Sequence, residues 1–374
     1  MKQLNTSKQK QSKWYRINLW IHRWVSLVVV IPFAILCITG VILIFHEEID
    51  RALGIHPEVQ YSQQTTQYPL SRALSALQKI YPKDHIVSTA LDDEHFPGIL
   101  LVGMAKENEG VNQAHWSYID IHQAKLIARP EPTDTFTGFL LELHANWFLG
   151  PIGELVGALI ALLVFLSLIS GLVVYAPYVK RFLFGIIRRD KGKRIFQLDL
   201  HNLMGSVVLG WALVVTITGF LLGFGTVAIG LWQLTELHHL QQYYYSTIPV
   251  TSMLPIDQVY AAAAHVAQGW KPTTVFYPNT EYSTAHHYLV LLQGSDGLNA
   301  KMLQIALVEA NTGQVVRVMQ LPLYLKMILL SQPLHFGDYG GIWLKLLWAL
   351  CTLLTLFITV NGAWLWWAKR KRIR

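Results

Sequence analysis

A histidine followed at a set distance by a glycine occurs four times in this chain, as two matched pairs, and each time it frames an apolar run. The stretch HRWVSLVVVIPFAILCITG runs from His22 to Gly40, with the glycine 18 residues on. HNLMGSVVLGWALVVTITG repeats that construction from His201 to Gly219. His144, preceded by Leu143, is followed after 27 residues by Gly171, and His335, preceded by Leu334, is followed after 27 residues by Gly362. The first run therefore matches the third and the second matches the fourth. Self-similarity of this kind is the mark of an internal duplication, and the expected fold is two copies of a span–loop–span unit.

Composition says what the runs are for. Of the 374 residues 52% are hydrophobic and only 14% charged, against about 25% charged in a soluble domain. Each apolar run (24–45, 154–177, 203–232 and 342–368) is long enough to cross a bilayer. The expected segments are a first span over 17–46, an interfacial stretch and second span over 144–179, a third span over 201–232, and an interfacial stretch and fourth span over 335–368. Basic residues gather in the tail 1–16, in the loop 180–200 (KRFLFGIIRRDKGKR lies within it) and in the tail 369–374. All three fall on one side if the spans alternate, so the positive-inside rule places both termini in the cytoplasm. Topology accounts for the net charge of +7, and nucleic acid is not an expected partner. The first run is too long for a secretory core and no A-x-A-like site follows it, so it is read as an uncleaved span. The only cysteines, Cys37 and Cys351, lie within spans, which leaves the loops without disulfides and excludes an iron–sulfur cluster.

The loops 50–140 and 233–334 are long enough to fold by themselves. In the first, LSRALSALQKI places Leu70, Ala73, Leu74, Leu77 and Ile80 at helical spacing, and strand-like runs follow at 85–91, 98–104 and 115–121. In the second, IDQVYAAAAHVA is followed by TTVFYP, HHYLVLLQG and MLQIALVEA. An Asn311-Thr312-Gly313 turn then leads to QVVRVMQ, in the place where the first copy has His122-Gln123-Ala124.

A helix followed by strands that close on an acidic residue, a Thr-Gly turn and valines resembles the PepSY domain. With the span motifs IHRW, TG, LH, LDLH and WLWWAKR around it, residues 15–370 resemble the PepSY-associated transmembrane helix family. The resemblance implies a membrane α+β protein: a four-transmembrane-helix bundle of two tandem repeats carrying two periplasmic α+β PepSY-like domains in a bacterial inner membrane. That family includes haem-carrying reductases of ferric siderophores, together with members of unknown role.

Alternating spans put His22 and His201 at the cytoplasmic face and His144 and His335 at the outer face. Repeats of two spans share one orientation, so their pseudo-twofold axis runs along the membrane normal and presents the same residue from both copies. A planar haem whose iron takes one imidazole from each side suits such an axis. The expectation is two bis-histidine b-type haems, one on His22 and His201 and the other on His144 and His335. Zinc needs about four ligands at each site. Copper would want a soft ligand, and only Met204 stands near any of the four histidines. The glycines are expected either to give a ring room or to let helices pack closely.

Arg23 is a candidate partner for a haem carboxylate, or else a membrane-edge anchor. His46, ending the first span, and His238-His239 in the second loop are competitors for the outer site. His286-His287 are neighbours on a strand and face opposite ways. The expected activity is a haem-dependent transmembrane oxidoreductase, fed by a quinol or a cytoplasmic reductase and passing electrons to a periplasmic acceptor. The resemblance implies that this acceptor is a ferric siderophore. No G-x-G-x-x-G stretch marks a nucleotide site. The competing expectation is a membrane-anchored PepSY binding or peptidase-inhibitory module with no redox role.

Overall fold

A computed structural model describes residues 12–59, 69–181, 185–245, 250, 252–295 and 300–371. Much of each expected basic tail, and residues 182–184 of the basic loop, lie outside the described residues. The chain forms two compact units, one of residues 1–46, 136–224 and 331–374, the other of residues 47–135 and 225–330.

The first unit is a bundle of four apolar helices: α1 (Lys13–Leu43), α5 (Pro151–Arg181), α6 (Lys193–Leu222) and α11 (Gly341–Lys371). Each has 30 or 31 residues and so is about 45 Å long, more than the roughly 30 Å of a bilayer's hydrocarbon. Apolar side chains such as Val28, Ile31 and Val207 point outward. Water would penalise that surface, whereas lipid is as apolar as the side chains. Small residues line the contacts between helices, among them Ala158, Ser170, Ala212 and Ala349. Packing takes α1 against α5 and α11, and α6 against the same two helices, which leaves α1 and α6 on opposite corners. A short helix, α4 (Phe136–Ala145), lies against α1 and α5.

The helix limits differ from the expected spans. α1 starts at Lys13, capped by the Ser12 hydroxyl, which accepts from Tyr15 N at 3.2 Å. It ends at Leu43, and His46 opens a separate helix, α2 (His46–Ala52). α6 takes in the last eight residues of the expected basic loop, through Leu200. It stops at Leu222, where Gly223 follows, and α7 (Gly225–Trp232) begins afresh. The polar start of α6 has helical propensity that an apolar-run criterion overlooks.

The second unit holds α3 (Leu70–Ile80), then strands β1 (His85–Leu91), β2 (Ile99–Ala105), β3 (His115–Asp120) and β4 (Lys125–Ile127). Its other segment has α7, a π-helical turn over Gln233–Leu237, α8 (His238–Tyr243) and α9 (Ile256–Val266). Strands β5 (Trp270–Phe276), β6 (His287–Gly294), β7 (Leu303–Glu309) and β8 (Val315–Gln320) follow, then α10 (Leu323–Phe336), which runs on into the bundle unit at Ser331. The strands make one antiparallel sheet in the order β4-β3-β2-β1-β5-β6-β7-β8. Two separate loop domains were expected; instead the loops share this sheet, joined where β1 pairs with β5 (Thr89 opposite Val275). A lone four-stranded meander would leave one long edge bare, and pairing the two edges removes that liability.

Packing on α3 and α9 supplies the core of one sheet face, with Leu74, Leu77, Val259 and Ala263 over Leu100, Val102, Val290 and Val308. On the other face Leu289, Ile305 and Leu307 are covered by Trp232, Leu237, Leu240 and Leu325. Asp257, at the start of α9, accepts from Leu70 N at 2.5 Å and Ser71 N at 2.9 Å and so caps α3. Glu281 reaches the loop before β3, accepting from Asn112 N at 2.9 Å. The β7–β8 turn places Gly313 at φ +74°, and Ala124 takes φ +53° in the β3–β4 turn.

Candidate functional site

The bundle brings the four histidines together two by two. His22 on α1 and His201 on α6 meet across the diagonal of the bundle, ring centres 6.3 Å apart and planes at 72°. His144, at the end of α4, and His335, in the last turn of α10, meet with centres 6.4 Å apart and planes at 64°. Both segments then break before the next helix. Trp147 and Phe148 adopt φ of 56° and 57° after His144, and Gly337 adopts φ of 70° after His335. Positive φ at two consecutive aromatic residues is a strained arrangement that ends α4 directly beyond its histidine.

Each of the four glycines lies beneath one of these rings. A Cβ on Gly171 would lie 2.9 Å from Cε1 of His22, and one on Gly362 would lie 3.2 Å from Cε1 of His201. The corresponding distances are 3.2 Å from Gly40 to His144 and 2.9 Å from Gly219 to His335. Room for an imidazole, rather than close packing of two helix backbones, is what these positions provide. The carbonyl one turn before the glycine takes part as well. His22 Nδ1 lies 2.9 Å from Ser167 O, four residues before Gly171, and His335 Nδ1 lies 3.0 Å from Val215 O, four residues before Gly219. Leu36 and Ile358, at the same position before Gly40 and Gly362, are the backbone partners of His144 and His201. In His201 the contact falls short of hydrogen-bond geometry, so its Nδ1 is buried and unbonded among the described residues. Nδ1 of His144 also lies 2.8 Å from Thr39 Oγ1, and Nδ1 of His335 lies 3.2 Å from Thr218 Oγ1.

With Nδ1 turned to the helix, Nε2 is the nitrogen left over. Among the described residues it takes no protein hydrogen bond in any of the four rings. A metal–imidazole bond of about 2.0 Å, with the ring centre ~1.1 Å behind its nitrogen, puts two trans imidazoles on one ion with centres about 6.2 Å apart. The observed 6.3 and 6.4 Å match that spacing. No group of three or more His, Cys, Asp or Glu side chains is placed to hold a metal among the described residues. The pairs therefore suit an ion whose other ligands come from a macrocycle, and they do not suit a four-ligand zinc site. His22 and Gly40 share α1, 18 residues apart, and Gly40 touches His144. The two centres accordingly lie about 27 Å apart along the bundle.

Other candidates lie elsewhere. Arg23 is exposed, its guanidinium 5.0 Å from the ring centre of Trp24. Consecutive helical residues point about 100° apart, so the cation beside His22 in sequence is turned away from its ring. His46 bonds locally, with Nδ1 3.0 Å from Leu43 O. His238 and His239 open α8 in the sheet unit, and Nε2 of His238 lies 3.0 Å from Nε2 of Gln242. Nδ1 of His287 lies 2.8 Å from Thr284 Oγ1. The sequence reading passed over Thr39, Thr218, Ser167 and Arg194. Arg194 stands two turns before His201 on the same side of α6, with its Nε buried and unbonded among the described residues. The signal for Thr39 and Thr218 was adjacency to a glycine, and for Ser167 and Arg194 helical spacing from a glycine or a histidine.

Four membrane-length helices, with two pairs of histidine rings in the bundle unit, and an antiparallel sheet in a second unit define a membrane α+β protein. The family can be stated more closely. Residues 19–369, nearly the whole chain, match the PepSY-associated TM region, and the protein belongs to that family. No curated protein is similar enough to count as a relative.

Proposed function

We propose that the protein is a di-haem electron-transfer protein of the bacterial inner membrane, reducing a periplasmic acceptor of the ferric-siderophore kind. The observation that carries this reading is the twofold coincidence of imidazole spacing, 6.3 Å for His22–His201 and 6.4 Å for His144–His335, with Nδ1 held back and Nε2 unbonded. A b-type haem in each pair would supply a one-electron couple within a bilayer that is otherwise impermeable to charge. The protein's part is to hold and tune. His22 with His201, and His144 with His335, would hold the haems. The glycines set the depth of each ring, and the carbonyls of Ser167 and Val215 hold Nδ1 of His22 and His335 so that Nε2 keeps its lone pair. Arg194, whose Nε is buried and unbonded among the described residues, would be a second cation, besides Arg23, to meet a haem carboxylate near the first pair.

Orientation follows from charge. Lys13, Arg16, Arg188, Arg189, Lys191, Lys193 and Arg194 all lie at the His22–His201 level or beyond it, away from the other pair. The positive-inside rule makes that end cytoplasmic, with both termini there and the sheet unit periplasmic. The inner pair would face the electron donor, a quinol or a cytoplasmic reductase, and the outer pair would face the acceptor. One electron converts the Fe(III) of the acceptor to Fe(II), which hard oxygen ligands hold far less tightly, and the metal is released. The duplicated frame read from the sequence explains why the ligand sets match. It makes the two halves of the sheet two PepSY-like modules.

The test is the spectrum of purified protein. Wild type should show an intense haem band that shifts on adding dithionite, with two haems per chain. His22→Ala and His335→Ala should each keep about one of the two. Colourless protein from haem-replete cells would overturn the redox reading and leave the anchored PepSY binding or inhibitory module.

A further inference from the structure

We infer that Thr39 and Thr218 are positioning residues that add a side-chain acceptor at Nδ1 of the outer histidines, reinforcing their tautomer and setting the outer centre apart from the inner one. The inference rests on the di-haem reading and deepens it. Each threonine directly precedes the glycine beneath a histidine ring, and each is buried, 3% exposed at Thr39 and 5% at Thr218. The hydroxyl of Thr39 donates to Ile35 O at 2.8 Å, and that of Thr218 donates to Val214 O at 2.8 Å. A hydroxyl has one hydrogen. With that hydrogen given to the helix carbonyl, only lone pairs remain toward the imidazole. The contacts from Oγ1 to His144 Nδ1 (2.8 Å) and His335 Nδ1 (3.2 Å) therefore need a proton on Nδ1. Nε2 is then the bare nitrogen.

The inner histidines have at most a longer contact of this kind, from a residue four positions before the glycine rather than next to it. The residues preceding their glycines are Ser170 and Asn361, and both are engaged elsewhere. Ser170 Oγ donates to Ser167 O at 3.0 Å, and Asn361 Nδ2 donates to Gln197 O at 3.0 Å. The nearest hydroxyl to His22 Nδ1 is that of Ser167, at 3.4 Å, and His201 Nδ1 is unbonded among the described residues. The second member of the Thr-Gly pair thus provides the floor for the ring and the first provides its clamp, at the outer level only. An acceptor on the far nitrogen raises the basicity of the ligating one, stabilises the oxidised metal and strengthens its hold.

Full-length protein in detergent, titrated optically against potential, tests the claim with Thr39→Val, Thr218→Val and Thr39→Ser. Wild type should resolve two midpoint potentials. Each Val variant should raise one of them and leave the other in place, while weakening haem retention at that level by about tenfold. The Ser variant, which keeps the hydroxyl, should match wild type. Thr39→Ala carries the same test if the Val variant does not fold. Two unchanged potentials, or two that move together, would overturn the inference. Should wild type prove to hold no haem, the di-haem reading fails, yet the tautomer is still measurable. Imidazole nitrogen-15 shifts of the haem-free protein should then report His144 and His335 protonated at Nδ1, and protonation at Nε2 would refute the clamp.

Discussion

Gly171→Ala tests whether the glycines are sockets for imidazoles. The new Cβ would lie 2.9 Å from Cε1 and 3.0 Å from Nδ1 of His22, where carbon contacts are at rest near 3.5–4.0 Å. The ring must retreat by roughly 0.6 Å or more. Overpacking of that kind costs about 1–3 kcal/mol. The retreat also pulls Nδ1 from its 2.9 Å contact with Ser167 O, a loss of about 0.5–1.5 kcal/mol. Together about 1.5–4.5 kcal/mol is withdrawn from the inner site, a roughly 10- to 2,000-fold weaker hold on whatever His22 binds. The control is Gly210→Ala on α6, where the added Cβ meets nothing within 4 Å and alanine favours the helix by about 1 kcal/mol. Purified variants would be compared by thermal midpoint in detergent and by haem-to-protein ratio. Gly171→Ala should melt lower and hold about one haem, while Gly210→Ala should behave as wild type or melt slightly higher. A Gly171→Ala protein indistinguishable from Gly210→Ala on both measures would refute the socket.

Gly337→Ala should destabilise by about 2–5 kcal/mol, because its φ is +70° and its Cβ would fall 2.5 Å from the indole of Trp348; the melting temperature and the tryptophan emission report it. Asp257→Ala removes the cap of α3 and should cost about 1–2 kcal/mol. Burial pushes the Asp257 carboxyl up, but hydrogen bonds from Ser71 and the backbone of Leu70 outweigh it and hold the group below its ordinary 3.8. The stability gap between wild type and Asp257→Ala should therefore be complete above about pH 4 and close as pH falls through the lowered value, as unfolding curves at several pH values would show. Arg188→Lys keeps the charge but loses the fork of Nε at 3.0 Å and Nη2 at 2.7 Å on Asp199. It should cost about 1–2 kcal/mol, measured by thermal melting.

Runs of apolar residues announced four helices because a bilayer sets their length, and alternation marked the strands because one sheet period is two residues. Neither signal says which strand lies beside which. The β1–β5 pairing that makes one sheet of two loops depends on long-range register, which Thr89 and Val275 do not advertise locally. Helix limits were blurred where polar residues extend α6 at its start and where Gly223 separates it from α7. At the site, a histidine's distance from its glycine was visible as an offset in sequence. That Gly171 and Gly362 would sit under rings of the neighbouring spans needed the packing of α1 on α5 and of α6 on α11, and Gly40 and Gly219 meet rings carried by the short helices α4 and α10. Arg23 shows the opposite failure. Adjacency in sequence suggested adjacency in space, but one residue along a helix turns about 100°, whereas the seven residues from Arg194 to His201 return to within about 20°. Thr39 and Thr218 were overlooked because a threonine in an apolar helix is ordinarily satisfied by its own backbone, and here the spare lone pair has a second use.

The socket beneath His201 is Gly362, on α11, while the ring itself belongs to α6 and its partner His22 to α1. During translation the inner pair of imidazoles is available once the third span has entered the bilayer, yet one of the two has no seat until the fourth has followed. On the proposed reading, a cofactor on that pair would be held only late in biogenesis. A nascent chain stalled before α11 would present His201 unsupported to the membrane interior.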